Sequence, residues 1–544
     1  MKVCAQCQSS FEVRSEDRGF YRKMNVPEPT LCPSCRQQRR ACFRNELRLY
    51  RRKCDLTGKE VISIYRPETE VIAYSPEVWW GDSWNPLEYG QEFDFSRPFF
   101  EQFAELRKKV PRLTIFGKVN ENSDYTNHTD HAKNCYLSAD VGFGEDIYYS
   151  KWIINCRNLV DCYQMEKSEN CYESLYSNGA YGSKYIYLAD ESIDSDFLYS
   201  CRSVKNSLMC WNLRQKEYCI ENKQYTKEEY EKMLASYDTG SYKNLEKYKM
   251  RYKDLVLQAV RRHMEIIDSE DCTGDYIYNC KNVRDSYGVV EARDCAYSYD
   301  SGYMNDCYDT YESAFDCELQ YESHACNRGK NLIATSGCFD VSDLSYSEMC
   351  HNSEHLFGCV SLRHKKYCIL NKQYSKEEYQ KLVPKIIDHM IKTNEWGEFF
   401  PVEMSFFAYN ESLAPEFCPM TKKEVLSRGW EWYENKKEYQ GQTYEIPDHI
   451  KDVPDTIINE ILACKNCRKN YRIIRQELDF YGAQNLAIPR LCHVCRYTER
   501  LRWRNPYRLY ARKCDKCGTD IKTTYSPDRP EKVYCEACYL KEVY

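Results

Sequence analysis

Two CxxC pairs recur at each end of this chain at one constant distance. Cys4, Cys7, Cys32 and Cys35 precede Cys464, Cys467, Cys492 and Cys495 by 460 positions. Phe20-Tyr21, Pro29, Leu31, Arg36 and Leu49-Tyr50 match Phe480-Tyr481, Pro489, Leu491, Arg496 and Leu509-Tyr510 without an insertion. A CxxC turn lets two thiolates converge on one ion, and two such turns close a tetrahedral structural zinc site. The expected module has its first pair on a knuckle, a hairpin through Phe20-Tyr21, and a second pair that opens a helix, in the manner of a treble clef or zinc ribbon. Cys514, Cys517, Cys535 and Cys538 repeat the arrangement, so three zinc ions are expected. The matched N-terminal stretch keeps only Cys54, with Thr57, Ser75 and Val78 at the other ligand positions. It must hold by packing, for which Trp79, Trp80 and Trp84 are at hand. Cys418-Pro-Met-Thr421 echoes Cys54-Asp-Leu-Thr57 and reads as another metal-free ribbon. No His or Glu beside the cysteines marks an open, catalytic coordination position.

The net charge of −6 hides an asymmetry. Residues 1–60 hold 14 Lys+Arg against 7 Asp+Glu, residues 464–544 hold 18 against 9, and the rest holds 45 against 67. The basic excess is concentrated just beyond each second CxxC pair. Arg36, Arg39, Arg40, Arg44 and Arg48 lie there in the first copy with Phe43 and Tyr50 between them; Arg496, Arg500, Arg502, Arg504 and Arg508 lie there in the second with Tyr497, Trp503, Tyr507 and Tyr510. Guanidinium forks match phosphates and aromatic faces stack on unpaired bases, so these ten arginines are candidate contacts to RNA or a ribonucleoprotein. The alternative is that they dock on the acidic middle of this chain, or of a second copy.

That middle is rich in Cys and Tyr, of which the chain has 32 and 49. Short extended segments follow Asn or Asp, as in Asn134-Cys135-Tyr136, Asp161-Cys162-Tyr163, Asn170-Cys171-Tyr172 and Asp306-Cys307-Tyr308. Cys295, Cys317, Cys338 and Cys359 are 22, 21 and 21 residues apart. A repeat near two dozen residues, built of short strands and polar turns, predicts a parallel β-helix. Neighbouring strand residues point to opposite faces, which puts cysteines inside and many tyrosines outside, stacked in ladders. The middle is itself duplicated: residues 217–232 match 366–381 at 12 of 16 positions with an offset of 149. Thr226 with Glu229, and Ser375 with Glu378, form capping boxes, so each coil ends under a helix. Residues 242–267 have an amphipathic helical pattern suited to packing on the coil.

The expected architecture is therefore mainly β, a duplicated parallel β-helix (solenoid) with capping helices, flanked by N- and C-terminal treble-clef/zinc-ribbon modules. Its segments are a zinc module with degenerate ribbon (1–80), an ordered strap (81–127), β-helix copy 1 with its cap (128–235), a helical connector (236–270), β-helix copy 2 with its cap (271–383), a second strap with degenerate ribbon (384–460) and a tandem zinc module (461–544). The chain starts without an apolar leader and has no run of the roughly 18 apolar residues that a membrane span needs. A soluble, cytoplasmic protein with reduced cysteines and no membrane partner is expected.

Enzymatic motifs are thin. Acidic residues repeat as turns require, Gly142-Phe-Gly144 is no phosphate loop, and His128, His131 and Cys135, or His351 and His355, have only loose ligand spacing. The composition favours a non-enzymatic, zinc-binding scaffold whose basic ends take RNA or a ribonucleoprotein and whose acidic coil takes protein. A carbohydrate-binding or carbohydrate-active β-helix, and a self-assembling structural protein, are the alternatives. The segments CAQC, LCPSCR, WWGDSWNPLEYG (79–90) and NEWGEFFPVEMSFFAYNES (394–412) resemble uncharacterised bacterial proteins that carry zinc-binding treble-clef/zinc-ribbon domains around a Cys/Tyr-rich middle. The resemblance implies zinc binding and no particular activity.

Overall fold

A computed structural model describes residues 1–435 and 439–544. Its organising unit is a triplet. From His128 to Glu221 every third residue has positive φ, as it does from Tyr276 to Phe315 and again from Asp316 to Leu370. The left-handed conformation costs an ordinary residue about 1–2 kcal/mol, least for Gly, Asn and Asp, and is hardest for β-branched side chains. Accordingly no Val, Ile or Thr occupies these positions, whereas Asn134, Asp161, Asn170, Asp306 and Gly182 do. Each left-handed residue turns the chain, so that the next side chain points inward.

Parallel pairing links Ala139 to Lys151 and Lys151 to Tyr163, so one turn of the coil takes twelve residues, or four triplets, and not the two dozen expected. The 21-residue cysteine spacing is seven triplets, which puts successive cysteines on different sides of the coil. The 22-residue step from Cys295 to Cys317 contains one extra residue, where Phe315 and Asp316 both have positive φ and the register lengthens to Met304↔Cys317.

The cores show the same period. Ala132, Cys135, Val141, Ile147, Ile153, Cys156, Leu159, Cys162 and Met165 all differ by multiples of three and pack in one coil; Cys326, Leu332, Cys338, Leu344, Cys350 and Leu356 do so in the other. Serine and cysteine are used inside for their polar atoms as much as for their size. Ser150 Oγ donates to the Tyr148 carbonyl (2.8 Å) and accepts from the amide of Cys162 one turn on (2.9 Å). Cys156 Sγ likewise donates to the Ile154 carbonyl (3.2 Å) and accepts from the Ser168 amide (3.3 Å). A backbone polar group buried without a partner costs about 1–3 kcal/mol, and these side chains supply that partner turn after turn.

The chain forms two compact units. One comprises Met1–Ile115, Met264–Glu434 and Pro506–Leu509, so the N-terminal module belongs with the second coil. The other comprises Phe116–His263, Asn435–Asn505 and Tyr510–Tyr544, and pairs the C-terminal module with the first coil. Parallel pairing in that coil already begins at Gly117–Lys118. Both coils end in a short antiparallel hairpin, Cys219–Ile220 with Lys223–Gln224 and Cys368–Ile369 with Lys372–Gln373. Helices Lys227–Leu234 and Lys376–Lys392 follow, started by the expected capping boxes.

Several local expectations change. Phe20 and Tyr21 lie on a helix, Ser15–Lys23, and not on a hairpin, because Asp17, Phe20, Tyr21 and Met24 share one buried helical face. The segment after Cys418 is a short helix, Lys422–Ser427, begun by Thr421 and Glu424, and not a ribbon. The connector helix runs only from Tyr242 to Val256; Val260–Arg262 then becomes a strand parallel to Lys532–Tyr534. The outward tyrosines are largely buried: Tyr163, Tyr172, Tyr308 and Tyr321 are at most 5% exposed. No helix among the described residues is long and apolar enough to cross a membrane.

Candidate metal centres and their arginine clamps

Three groups of four sulfur atoms converge, Cys4/Cys7/Cys32/Cys35, Cys464/Cys467/Cys492/Cys495 and Cys514/Cys517/Cys535/Cys538, each with all four sulfurs within 4.8 Å of one another. Cys7–Cys32, Cys467–Cys492 and Cys517–Cys535 each have their sulfurs 3.7 Å apart. Tetrahedral Zn–S bonds of about 2.3 Å would separate sulfurs by about 3.8 Å, whereas a disulfide would bring them to about 2.05 Å. The donor set is four soft thiolates, suited to a tetrahedral thiophilic cation.

The local fold that gathers them is repeated. The amides of Gln8, Arg468 and Gly518 bond back to the carbonyls of Cys4, Cys464 and Cys514, with the donor residue left-handed each time. The second pair begins a helix, with Cys32, Cys492 and Cys535 as N-caps. The Cys32 amide donates to Cys4 Sγ (3.2 Å) and that of Cys535 to Cys514 Sγ (3.3 Å), placing partial positive charge against sulfur. A hydrogen bond from Cys35 brings the Cys32 thiol down to about 6, and Cys35 is pushed up by the same bond; the pair shares a proton that a cation would displace. The fourth module keeps the shape without the ligands. Gly58 closes its knuckle on Cys54, Tyr50–Lys53 pairs with Glu60–Ser63, and the Ser75 amide donates to Cys54 Sγ (3.4 Å).

The histidines do not join such groups. His128 stacks on Phe116 and His131 on Phe143, while Cys135 lies in the coil interior. His351 is buried against Phe339 and Trp79, and His355 stacks on Tyr367.

The candidate nucleic-acid arginines are placed unevenly. Helix Pro33–Ala41 carries Arg36, Arg39 and Arg40 on one buried face. Arg36 Nε donates to Asp309 (2.8 Å), Arg39 to Glu322 (2.8 Å) and Glu398 (2.7 Å), and Arg40 to Glu322 and Asp309; Arg44 pairs with Glu46 and Glu312. Helix His493–Leu501 repeats this on the first coil. Arg496 Nε meets Asp161 (2.8 Å) and its Nη2 meets Glu477 (3.3 Å), while Arg500 Nη1 donates to Asp161 (2.7 Å) and lies 3.5 Å from Glu173. Arg504 donates to Tyr163 Oη (3.2 Å). Arg48 is half-buried; Arg502 and Arg508 are exposed.

Aromatic contacts repeat as faithfully. Phe20 stacks on Tyr308 (3.9 Å) and meets Tyr321 edge-on, and Phe480 and Tyr481 sit against Tyr172. Tyr297 donates to Asp17 and Tyr149 to Glu477, both at 2.9 Å, beneath Arg36 and Arg496 respectively. Of the receiving carboxylates, Asp161 stands out in the sequence only as the residue before Cys162-Tyr163, and Asp309, Glu322, Asp17 and Glu477 belong to no motif singled out above. Asp17 and Glu477 are separated by the same 460 positions as the paired cysteines, which is the signal that finds them.

No family model, no curated protein and no solved structure matches this chain.

Proposed function

We propose that this chain is a non-enzymatic scaffold in which zinc-stapled modules clamp two narrow solenoids into rigid walls. The observation that carries it is the duplicated clamp, in which an arginine helix begun by a zinc-ligand cysteine meets buried carboxylates of a coil: Arg36 and Arg40 on Asp309, Arg496 and Arg500 on Asp161. A helix so fixed holds its guanidinium groups where they match the coil, and the coil's uncovered faces are left to a protein partner. In this reading the zinc is structural and the clamp arginines are internal. Protein purified without added metal should carry three zinc equivalents by elemental analysis, with no catalytic turnover to find. RNA titrations at several salt concentrations test the rival use of the arginines. Salt-sensitive binding lost in Arg502→Glu/Arg508→Glu would restore a nucleic-acid function, and fewer than three zinc equivalents would remove the staple.

A further inference from the structure

The two coils differ in one column of side chains. In the first, Lys184, Asp196, Leu208 and Ile220 stand above one another on successive turns; in the second, the matching column is Ile333, Ser345, Phe357 and Ile369. The second column is covered by the chain's own aromatics, with Phe357 packed edge-on to Phe99 (5.5 Å) and stacked on Trp396 (6.2 Å). Over the first column lies a cavity of about 390 Å³, closed on one side by the capping helix through Tyr230 and Leu234.

Its polar groups are held ready. Lys184 and Asp196 pair at 3.3 Å with side chains only 15% and 10% exposed, and Asp196 also accepts from Tyr237 Oη (2.9 Å). Burying an ion pair where the other copy uses Ile and Ser costs desolvation and adds little to folding. Asp194 projects over Gly182, where a β-carbon would come within 2.4 Å of its Oδ1, and among the described residues its carboxylate has no hydrogen-bond or ion-pair partner. Tyr181, nearly half exposed, offers a ring face, and Gln484 an amide.

We infer that this cavity binds a neutral sugar of one or two rings. A carboxylate acceptor, an amide, a tyrosine hydroxyl and an aromatic face are what a polyhydroxylated ring uses, and the volume lies in the usual range of about 300–1,000 Å³ for small-ligand sites. Lys184 and Asp196 neutralise one another in the wall, and the Asp194 carboxylate opposes an anion, which leaves a cation as the competitor that the test must include.

The full zinc-loaded chain should be titrated by calorimetry and saturation-transfer NMR with D-glucose, D-galactose, N-acetyl-D-glucosamine and maltose. Saturable binding of at least one is expected. Leu208→Phe, which installs the residue of the other coil, should abolish it, and Asp194→Asn, an exposed change that leaves the fold alone, should weaken it at least tenfold. Zinc content and circular dichroism of both variants verify folding. Absence of binding, binding that survives both substitutions, or binding of n-butylammonium in place of every sugar overturns the inference. None of these outcomes bears on the zinc count that tests the scaffold reading.

Discussion

The two clamps share a geometry and differ in charge. Position 39 is Arg39, bound to Glu322 and Glu398, whereas its counterpart in the second module is the exposed Glu499. Arg284, which reaches Asp17 in the first unit, is replaced on the first coil by Tyr136. The second unit thus holds Asp161, Glu173 and Glu477 with two clamp guanidinium groups. Burial pushes both Glu173 and Glu477 up. In the first unit, against burial that would raise them, Arg39 holds Glu398 below its ordinary value, and Arg107 with Arg112 brings Glu348 down to about 2. The duplicated interface has kept its shape, but burial prevails at Glu173 and Glu477 in the second unit, whereas arginines prevail over burial at Glu398 and Glu348 in the first.

Metal removal gives the largest expected effect and tests the symmetry of the staples. Structural Cys4 zinc contributes on the order of 10 kcal/mol to a folded module. Chelation should melt the treble clef of each unit and the ribbon of the second, releasing one ion from the first unit and two from the second. Cys4→Ser and Cys464→Ser should each leave two zinc equivalents by native mass spectrometry, and Cys54→Ser should leave three. Loss of metal from Cys54→Ser would break the distinction between filled and degenerate ribbons.

Next in size come the paired aspartates. Removing one partner of a buried ion pair costs about 3–5 kcal/mol, and Asp309→Asn should fall in that range because Arg36 and Arg40 lose a shared acceptor. Asp161→Asn should cost the second unit at least ~1 kcal/mol less, since Asp161 is among the groups that raise Glu173 and Glu477 and its neutralisation lets both ionise against the arginines. Urea titrations followed by hydrogen exchange in each coil would read both. Equal costs would mean that the charge difference is compensated elsewhere.

The legible part of this architecture was the part carried by spacing. Ligand cysteines must sit at fixed separations to share one ion, and capping boxes at fixed separations to close a helix, so both were visible. Asn and Asp before Cys135, Cys162, Cys171 and Cys307 are visible as well, but they suit turns between strands as readily as the left-handed third of a triplet. The period was masked because Tyr149, Trp152 and Phe197 hold the same backbone position as Asn134 and Asp161. What would have exposed it is an absence, the exclusion of Val, Ile and Thr from every third residue. The arginine helices were ambiguous for another reason. A guanidinium face suits phosphate and carboxylate alike, and only the fold brings Asp161 and Asp309 beneath it.

The opposite proton responses predict opposite slopes with pH. Glu173 and Glu477 are raised in the folded state, so their contribution is present below the unfolded carboxylate value of about 4.3 and is lost as pH rises through their folded values. Glu348 and Glu398 are lowered, so theirs is present above about 4.3 and is lost as pH falls. Above about pH 4.3, where Glu348 and Glu398 are ionised, hydrogen exchange should show their contribution to the first unit held and the second coil losing protection as pH rises. Parallel profiles would contradict the charge comparison.

The smallest effect sharpens the same point. Glu499→Arg restores to the second module the cation that the first has at position 39. Because Glu499 is exposed, the exchange removes no packing, and a pair at such a position is worth about 0–1 kcal/mol, less in salt. Its value lies in the slope: Glu173 gains a cation beyond Arg500, Lys249 and Arg496, so its protonation should fall and the second coil's loss of protection with rising pH should flatten. An unchanged slope, with the fold verified by zinc content, would assign the raised carboxylates to burial alone and leave the missing arginine without consequence.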